Sequence, residues 1–160
     1  MLNANELLKE GIEQVKSAGI EPGNINPNVK INSRAKTRFG LCRKTPGKYD
    51  YEIELNSELL KADKKKAMNT MVHEILHSAK GCMNHGRLWL AYADKMNRTF
   101  GYDISRATSY SALGLERPKA KYVIKCVDCD NEILRFKKSK IVTNVNRYIC
   151  GRCSGKLKLM

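Results

Sequence analysis

Apolar residues recur with helical spacing in three stretches of the chain and alternate with polar ones in a fourth. Leu8, Ile12 and Val15 share one face of a segment that starts at Asn5 or a neighbour and runs to about Ala18, with Gly19 ending it. Met68, Met71, Val72, Ile75, Leu76 and Ala79 make a second apolar face, the pattern of a buried helix with a narrow polar edge. Leu88, Trp89, Tyr92, Ala93, Met96 and Phe100 make a third, and Asn84 stands where it can cap that helix. Between the first two, Tyr49, Tyr51, Ile53 and Leu55 point one way and Asp50, Glu52 and Glu54 the other, which predicts a half-buried antiparallel strand. Val29 to Ile31 and Arg38 to Arg43 read as shorter strands behind a turn-rich stretch from Glu21 to Asn28. The expected order is helix, small sheet, helix, helix.

Helical signal fades after Gly101, and Asp103 to Pro118 reads as a connector. Beyond it, Tyr122 to Lys125, Glu132 to Lys137 and Tyr148 to Ile149 are candidate short strands. The predicted fold class is therefore α+β. Residues 1–118 form one domain of helices and a small antiparallel sheet, and residues 119–160 form a separate β module.

Chemistry concentrates in two places. All three histidines fall within His73–His85, as HExxH followed by a third histidine eight residues on. Positions four apart lie on one helix face, so His73 and His77 can present two imidazoles to one ion. Gly81 lets the chain turn and bring His85 back as third ligand, the usual count for a catalytic zinc that keeps a position for water. Glu74 can then act as general base toward a zinc-activated water, the nucleophile of a zinc-dependent peptidase. Cys82 lies between His77 and His85 and competes as a ligand; it and Cys42 are otherwise buried or idle thiols.

The second place is the pair Cys126-Val127-Asp128-Cys129 and Cys150-Gly151-Arg152-Cys153, with twenty residues between them. Two CxxC knuckles at that spacing predict a Cys₄ zinc ribbon, with disulfides and redox chemistry as the weaker alternatives. Two zinc ions per chain are expected, one catalytic and one structural. The module has too little apolar material to fold without its metal.

Charge adds a partner. The net charge is +14, and residues 119–160 hold 11 Lys/Arg against 3 Asp/Glu, a balance of +8. Lys121, Lys125, Arg135, Lys137, Lys138, Lys140, Arg147 and Arg152, interleaved with Tyr122, Phe136 and Tyr148, are candidate nucleic-acid contacts. Phe136 suits the core of the module better than a stacking role. DNA is the expected polyanion; a ribbon that only braces the fold is the competing reading. No apolar run approaches the roughly 18 residues of a membrane span, and the N-terminus lacks a secretory pattern. A cytoplasmic monomer is expected.

With both motifs in place the chain resembles the SprT-like metallopeptidases, the family that includes the DNA–protein crosslink protease Spartan. The resemblance rests on Arg38-Phe39-Gly40-Leu41-Cys42, Tyr51 to Asn56 with Glu58-Leu59-Leu60, Thr70 to His77, His85-Gly86 followed by Trp89, and Arg147 to Leu157. It implies a small zincin followed by a zinc ribbon, zinc on His73, His77 and His85, Glu74 as catalytic group, and DNA-associated proteins as substrates. An extended peptide is then expected along an edge strand, Tyr49 to Leu55 or its neighbour. The gap between His77 and His85 is short for that family. Two other functions remain open: a metallopeptidase for one regulatory protein, and a nucleic-acid-binding zinc protein without catalysis.

Overall fold

The side chain of Asn3 accepts the N–H groups of Asn5 and Glu6 and so starts the first helix, α1 (Ala4–Ser17). The structure, a computed structural model, describes all 160 residues in two units, Met1–Glu116 and Arg117–Met160. No helix is long and apolar enough to cross a membrane.

In the first unit, β1 (Lys30–Asn32), β2 (Gly40–Lys44) and β3 (Tyr51–Asn56) form one sheet in the order β1-β3-β2. The expected antiparallel pairing holds for β2 with β3, whereas β1 runs parallel to β3. The chain leaves β1 on the far side of β3 and crosses to form the β2–β3 hairpin, so β3 is the central strand. Ile53 and Leu55 enter the core, as the alternation requires. Glu52 is buried too, because Lys30 and Arg43 close over its carboxylate at 2.8 and 2.5 Å. Arg38 and the Asn32 amide hold Glu54 at 2.7 and 2.8 Å. Cross-strand ion pairs therefore cover this face of the sheet.

A 3₁₀ turn (Ser57–Lys61) leads to Asp63, whose side chain caps α2 (Lys64–Ser78). All six apolar positions of the predicted second face are buried. Helix α1 packs closely on α2 at Gly11, where a Cβ would come within 2.6 Å of Ile75. Helix α3 (Arg87–Phe100) begins after Gly86 with no side-chain cap bond. Asn84 instead accepts the Gly86 N–H at 3.1 Å, in a turn ahead of the helix. Trp89, Ala93 and Met96 face inward, but Leu88 is 42% exposed, since the expected apolar stripe is wider than the core can cover.

The connector packs on this core. Ile104 and Leu113 are buried in it, and Tyr110, at the start of a one-turn helix α4 (Tyr110–Leu113), packs edge-on against Phe39. Asn69 and Asn97 each grip the backbone of the incoming chain from both sides, Asn69 at Asp103 and Asn97 at Ile104.

The second unit is built on β4 (Tyr122–Cys126), β5 (Glu132–Arg135) and β6 (Leu157–Leu159), in the order β5-β4-β6. Helix α5 (Lys140–Thr143) and a 3₁₀ turn (Val145–Arg147) lie between β5 and β6. The third strand is thus Leu157–Leu159, and Tyr148–Ile149 makes only a single bridge, from Ile149 to Lys156. Ile149 precedes a cysteine knuckle, which bends the chain away before a ladder can form. The core of this unit is small: Ile124, Cys126, Val142, Cys150 and Leu157.

Candidate metal centre and cleft

Helix α2 carries His73 and His77 on one face, and Gly81, at φ +80°, reverses the chain beyond it. That reversal returns His85. The three Nε2 atoms then form a triangle with sides of 3.3, 3.1 and 3.0 Å. A tetrahedral zinc with Zn–N bonds of about 2.0–2.1 Å requires sides of roughly 3.3 Å, so the triangle fits that ion.

The outer nitrogens fix the tautomers. His77 Nδ1 lies 2.7 Å from the Cys82 carbonyl, which can only accept, so Nδ1 carries the hydrogen and Nε2 the lone pair. His73 donates likewise to the Ser105 carbonyl. Two converging lone pairs with no hydrogen between them call for a cation, and carbonyl partners of this kind orient metal-binding imidazoles. Burial and then the two neighbouring imidazoles push His73 down to about 4. Burial also lowers His77 and His85. All three are therefore neutral at pH 7, the form that binds metal.

Trp89 is fully buried beneath the triad. It stacks on His77 at 22° and meets His73 and His85 edge-on, with ring centroids 4.5–5.4 Å apart. Cys82 contributes its main-chain carbonyl, while its thiol is buried and raised by that burial. Cys42 is also buried, and its thiol is pushed up to about 12 by burial and by Glu74. Both therefore remain protonated thiols.

Glu74 leaves α2 toward β2. Gly40 gives it room, since a Cβ there would lie 2.6 Å from Oε1. Burial pushes its carboxyl up to about 7, against the opposing pull of the Cys42 N–H and of Arg38. This Cys42 N–H points away from β3. The Asn56 N–H donates to Phe39 and the Thr45 N–H to Asp50, so odd-numbered residues of this hairpin face β3. In an antiparallel ladder Gly40, Cys42 and Lys44 must then turn their backbone outward. The free sheet edge beside the histidines is β2, the neighbour of the segment Tyr49–Leu55.

Between β2 and the loop from Arg106 to Thr108 runs a cleft of about 470 Å³, with the three histidines and Glu74 at its base. Sequence reasoning missed this second wall, and with it Ser105, Arg106 and the main-chain role of Cys82. Backbone carbonyls that accept from the imidazoles leave no side-chain signature. The single tryptophan, four residues beyond His85, was the one available signal for the support under the triad.

In the second unit the four Sγ atoms of Cys126, Cys129, Cys150 and Cys153 lie within 4.8 Å of one another. The closest pairs are 3.5 and 3.7 Å, against about 3.8 Å for tetrahedral Zn–S bonds of 2.3 Å. The two knuckles repeat one geometry. Asp130 and Ser154, each following the second cysteine, adopt φ of +55° and +60°, which turns the next N–H onto Cys129 or Cys153. The N–H groups of Arg152 and Cys153 pull Cys150 down to about 6, toward the thiolate that metal requires.

The cationic residues of this unit separate into two groups. Lys121, Lys137, Lys138, Lys140, Arg147 and Arg152 are exposed and make no ion pair. Lys125 is held by Asp130 at 3.0 Å, and half-buried Arg135 donates to the Leu134 carbonyl. Tyr122 packs on the core and Tyr148 is exposed, while half-buried Phe136 lies outside the core cluster.

Three histidines carried by a buried helix and the turn after it, with a glutamate beside them and a sheet edge along the cleft, define a zinc metalloprotease-type domain. The SprT-like family profile matches residues 6–109, and the chain belongs to that family. It is similar to a "Protein SprT-like" of Lysinibacillus sphaericus, 29% identical over 129 residues, or 76% of this chain and 80% of the relative. Proteins of that name from Staphylococcus carnosus (24% over 151 residues, 85% and 95% of the two chains) and Bacillus cereus (27% over 139 residues, 81% and 80%) are also similar. No solved structure matches the chain significantly.

The cysteine cluster gives a direct test of metal content. Zinc analysis of protein purified without chelator should find two ions per chain, and Cys150→Ser should leave one. That variant should lose the ribbon while Met1–Glu116 keeps its circular dichroism and protease resistance, because it has its own core. Collapse of both units would contradict this.

Proposed function

We propose that this chain is a zinc-dependent endopeptidase acting on DNA-associated proteins, with one catalytic and one structural zinc. The observation that carries the reading is the triangle of Nε2 atoms with Glu74 beside it in an open cleft. Zinc held there by His73, His77 and His85 supplies a Lewis acid that polarises a carbonyl and makes water acidic at neutral pH.

Glu74 accepts the proton of the attacking water and passes it to the leaving amine. Gly40 leaves the space its carboxylate occupies, and the Cys42 N–H holds it there. An extended substrate adds as a strand to β2, hydrogen-bonding to the outward backbone at Gly40 and Lys44 and to the Cys42 carbonyl, while the Cys42 N–H stays with Glu74. Arg106, on the opposite wall and without a carboxylate partner, is the cation placed to meet negative charge developing on the substrate.

The six exposed, unpaired cations of the ribbon support DNA as the scaffold on which enzyme and substrate meet. Cleavage of a basic DNA-binding protein should therefore rise on adding DNA. A few phosphate contacts imply roughly ten- to a hundredfold weaker DNA binding between 50 and 200 mM salt, and stimulation should fade accordingly. Charge reversal at Lys137, Lys138 and Lys140 should reduce stimulation and spare DNA-independent cleavage of an unstructured peptide. Stimulation that survives the reversal would exclude this surface.

A further inference from the structure

The metal cleft does not end at the histidines. Met83 and Asn84 line both it and a second, open cavity of about 720 Å³ that extends past the end of β2. Lys44 and Lys80 both line this extension, with Tyr51 and Glu21 completing the charged and aromatic lining. Both lysines are exposed, and neither is within ion-pair distance of a carboxylate. Met83, 42% exposed, forms an apolar step between the two cavities.

Lys44 also belongs to the outward-facing set of β2, so a peptide that pairs with this edge runs from the metal cleft, lined by Gly40 to Cys42, to the second cavity, lined by Lys44. The extension has a single acidic side chain, Glu21, against two free cations. On the other side of the histidines the unpaired charge is again positive, from Arg106.

We infer that this second cavity is a substrate subsite selecting acidic side chains close to the scissile bond, an inference that rests on the peptidase reading. The sheet edge favours peptide over nucleic acid here, because outward N–H and C=O groups in a row match a peptide backbone and not a phosphodiester. The preferred cleavage sites are then acidic stretches, in a substrate that is itself tethered through DNA. Repulsion from Lys44 and Lys80 spares segments rich in lysine and arginine. The groove thus favours acidic or linker segments of a DNA-binding protein over its DNA-contacting surface.

The test uses the full chain carrying Glu74→Gln, loaded with zinc, and fluorescent peptides that differ only in having Glu or Lys at three consecutive positions. Two lysines near an exposed carboxylate are worth about tenfold in affinity at low salt, so the Glu peptide should bind about tenfold more tightly by anisotropy. The preference should shrink at about 0.5 M salt. Lys44→Glu with Lys80→Glu should reverse the ranking, and Lys44→Arg with Lys80→Arg should preserve it. Equal binding of the two peptides, or a ranking untouched by reversal, would overturn the inference. So would a double reversal that weakens binding of a DNA oligonucleotide and leaves the peptide ranking intact, since the lysines would then serve DNA. Cleavage by the wild-type chain separates the two levels. Hydrolysis with no acidic preference removes the subsite alone, whereas ranked binding with no hydrolysis of any peptide removes the peptidase reading and leaves a groove that only binds acidic peptide.

Discussion

Glu74→Gln is expected to lower kcat by about 10²–10⁴-fold, the range for loss of a general acid–base group, with zinc content unchanged. The carboxamide fills the same space over Gly40 and removes no ligand from the triad. Because burial disfavours the charged carboxylate, the neutral substitute should not lower thermal stability. His85→Ala should behave differently. It removes the one imidazole that does not come from α2, and zinc should be lost with activity. Steady-state peptide hydrolysis beside metal analysis of both variants makes the comparison. Wild-type turnover in Glu74→Gln would take Glu74 out of the reaction.

Trp89→Ala should have the largest effect on the fold. A fully buried aromatic truncated to alanine typically costs about 3–5 kcal/mol, and here the cavity would open beneath all three imidazoles. Loosened ligand orientation is worth about 10–100-fold in metal affinity. Trp89→Phe should recover most of both losses. It keeps a ring under the triad and gives up no hydrogen bond, since the indole Nε1 has no partner. Denaturant titration and competition with a zinc chelator separate stability from affinity. Unchanged zinc affinity in Trp89→Ala would reduce the ring to ordinary core packing.

What was legible in the sequence is what acts over short distances along the chain. The apolar face of α2, the i and i+4 histidines and the two CxxC pairs depend on helical period and ligand spacing alone, and the structure brings each set together. The alternation of β3 showed which residues enter the core but not which strand would be left at an edge, because that depends on how β1 crosses the hairpin. Asn84 looked like a helix cap; its side chain serves a turn two residues earlier, since the return of His85 to the metal centre fixes where α3 can begin. Strand β6 leaves little trace in the sequence because its three residues alternate too briefly to register, and only Leu157 of them is buried, on the strand that pairs with β4. The wall from Ser105 to Thr108 was invisible for a different reason. Its position is set by Asn69 and Asn97, more than five residues away, and its contribution to His73 is a backbone carbonyl.

The size of the ribbon core bears on how the protein comes to be made. Of its five buried hydrophobic residues two are cysteines, so residues 117–160 have almost nothing to collapse around until an ion has been captured. The first unit, with a continuous core from Ala4 to Leu113, needs no such event. Newly synthesised chains would thus pass through a form with a finished N-terminal unit and an open, basic C-terminal segment, exposed to degradation until zinc arrives. With zinc as the ion that the four cysteines hold, a cell short of zinc would retain that form, and metal supply would set what fraction of the chains keeps its second unit.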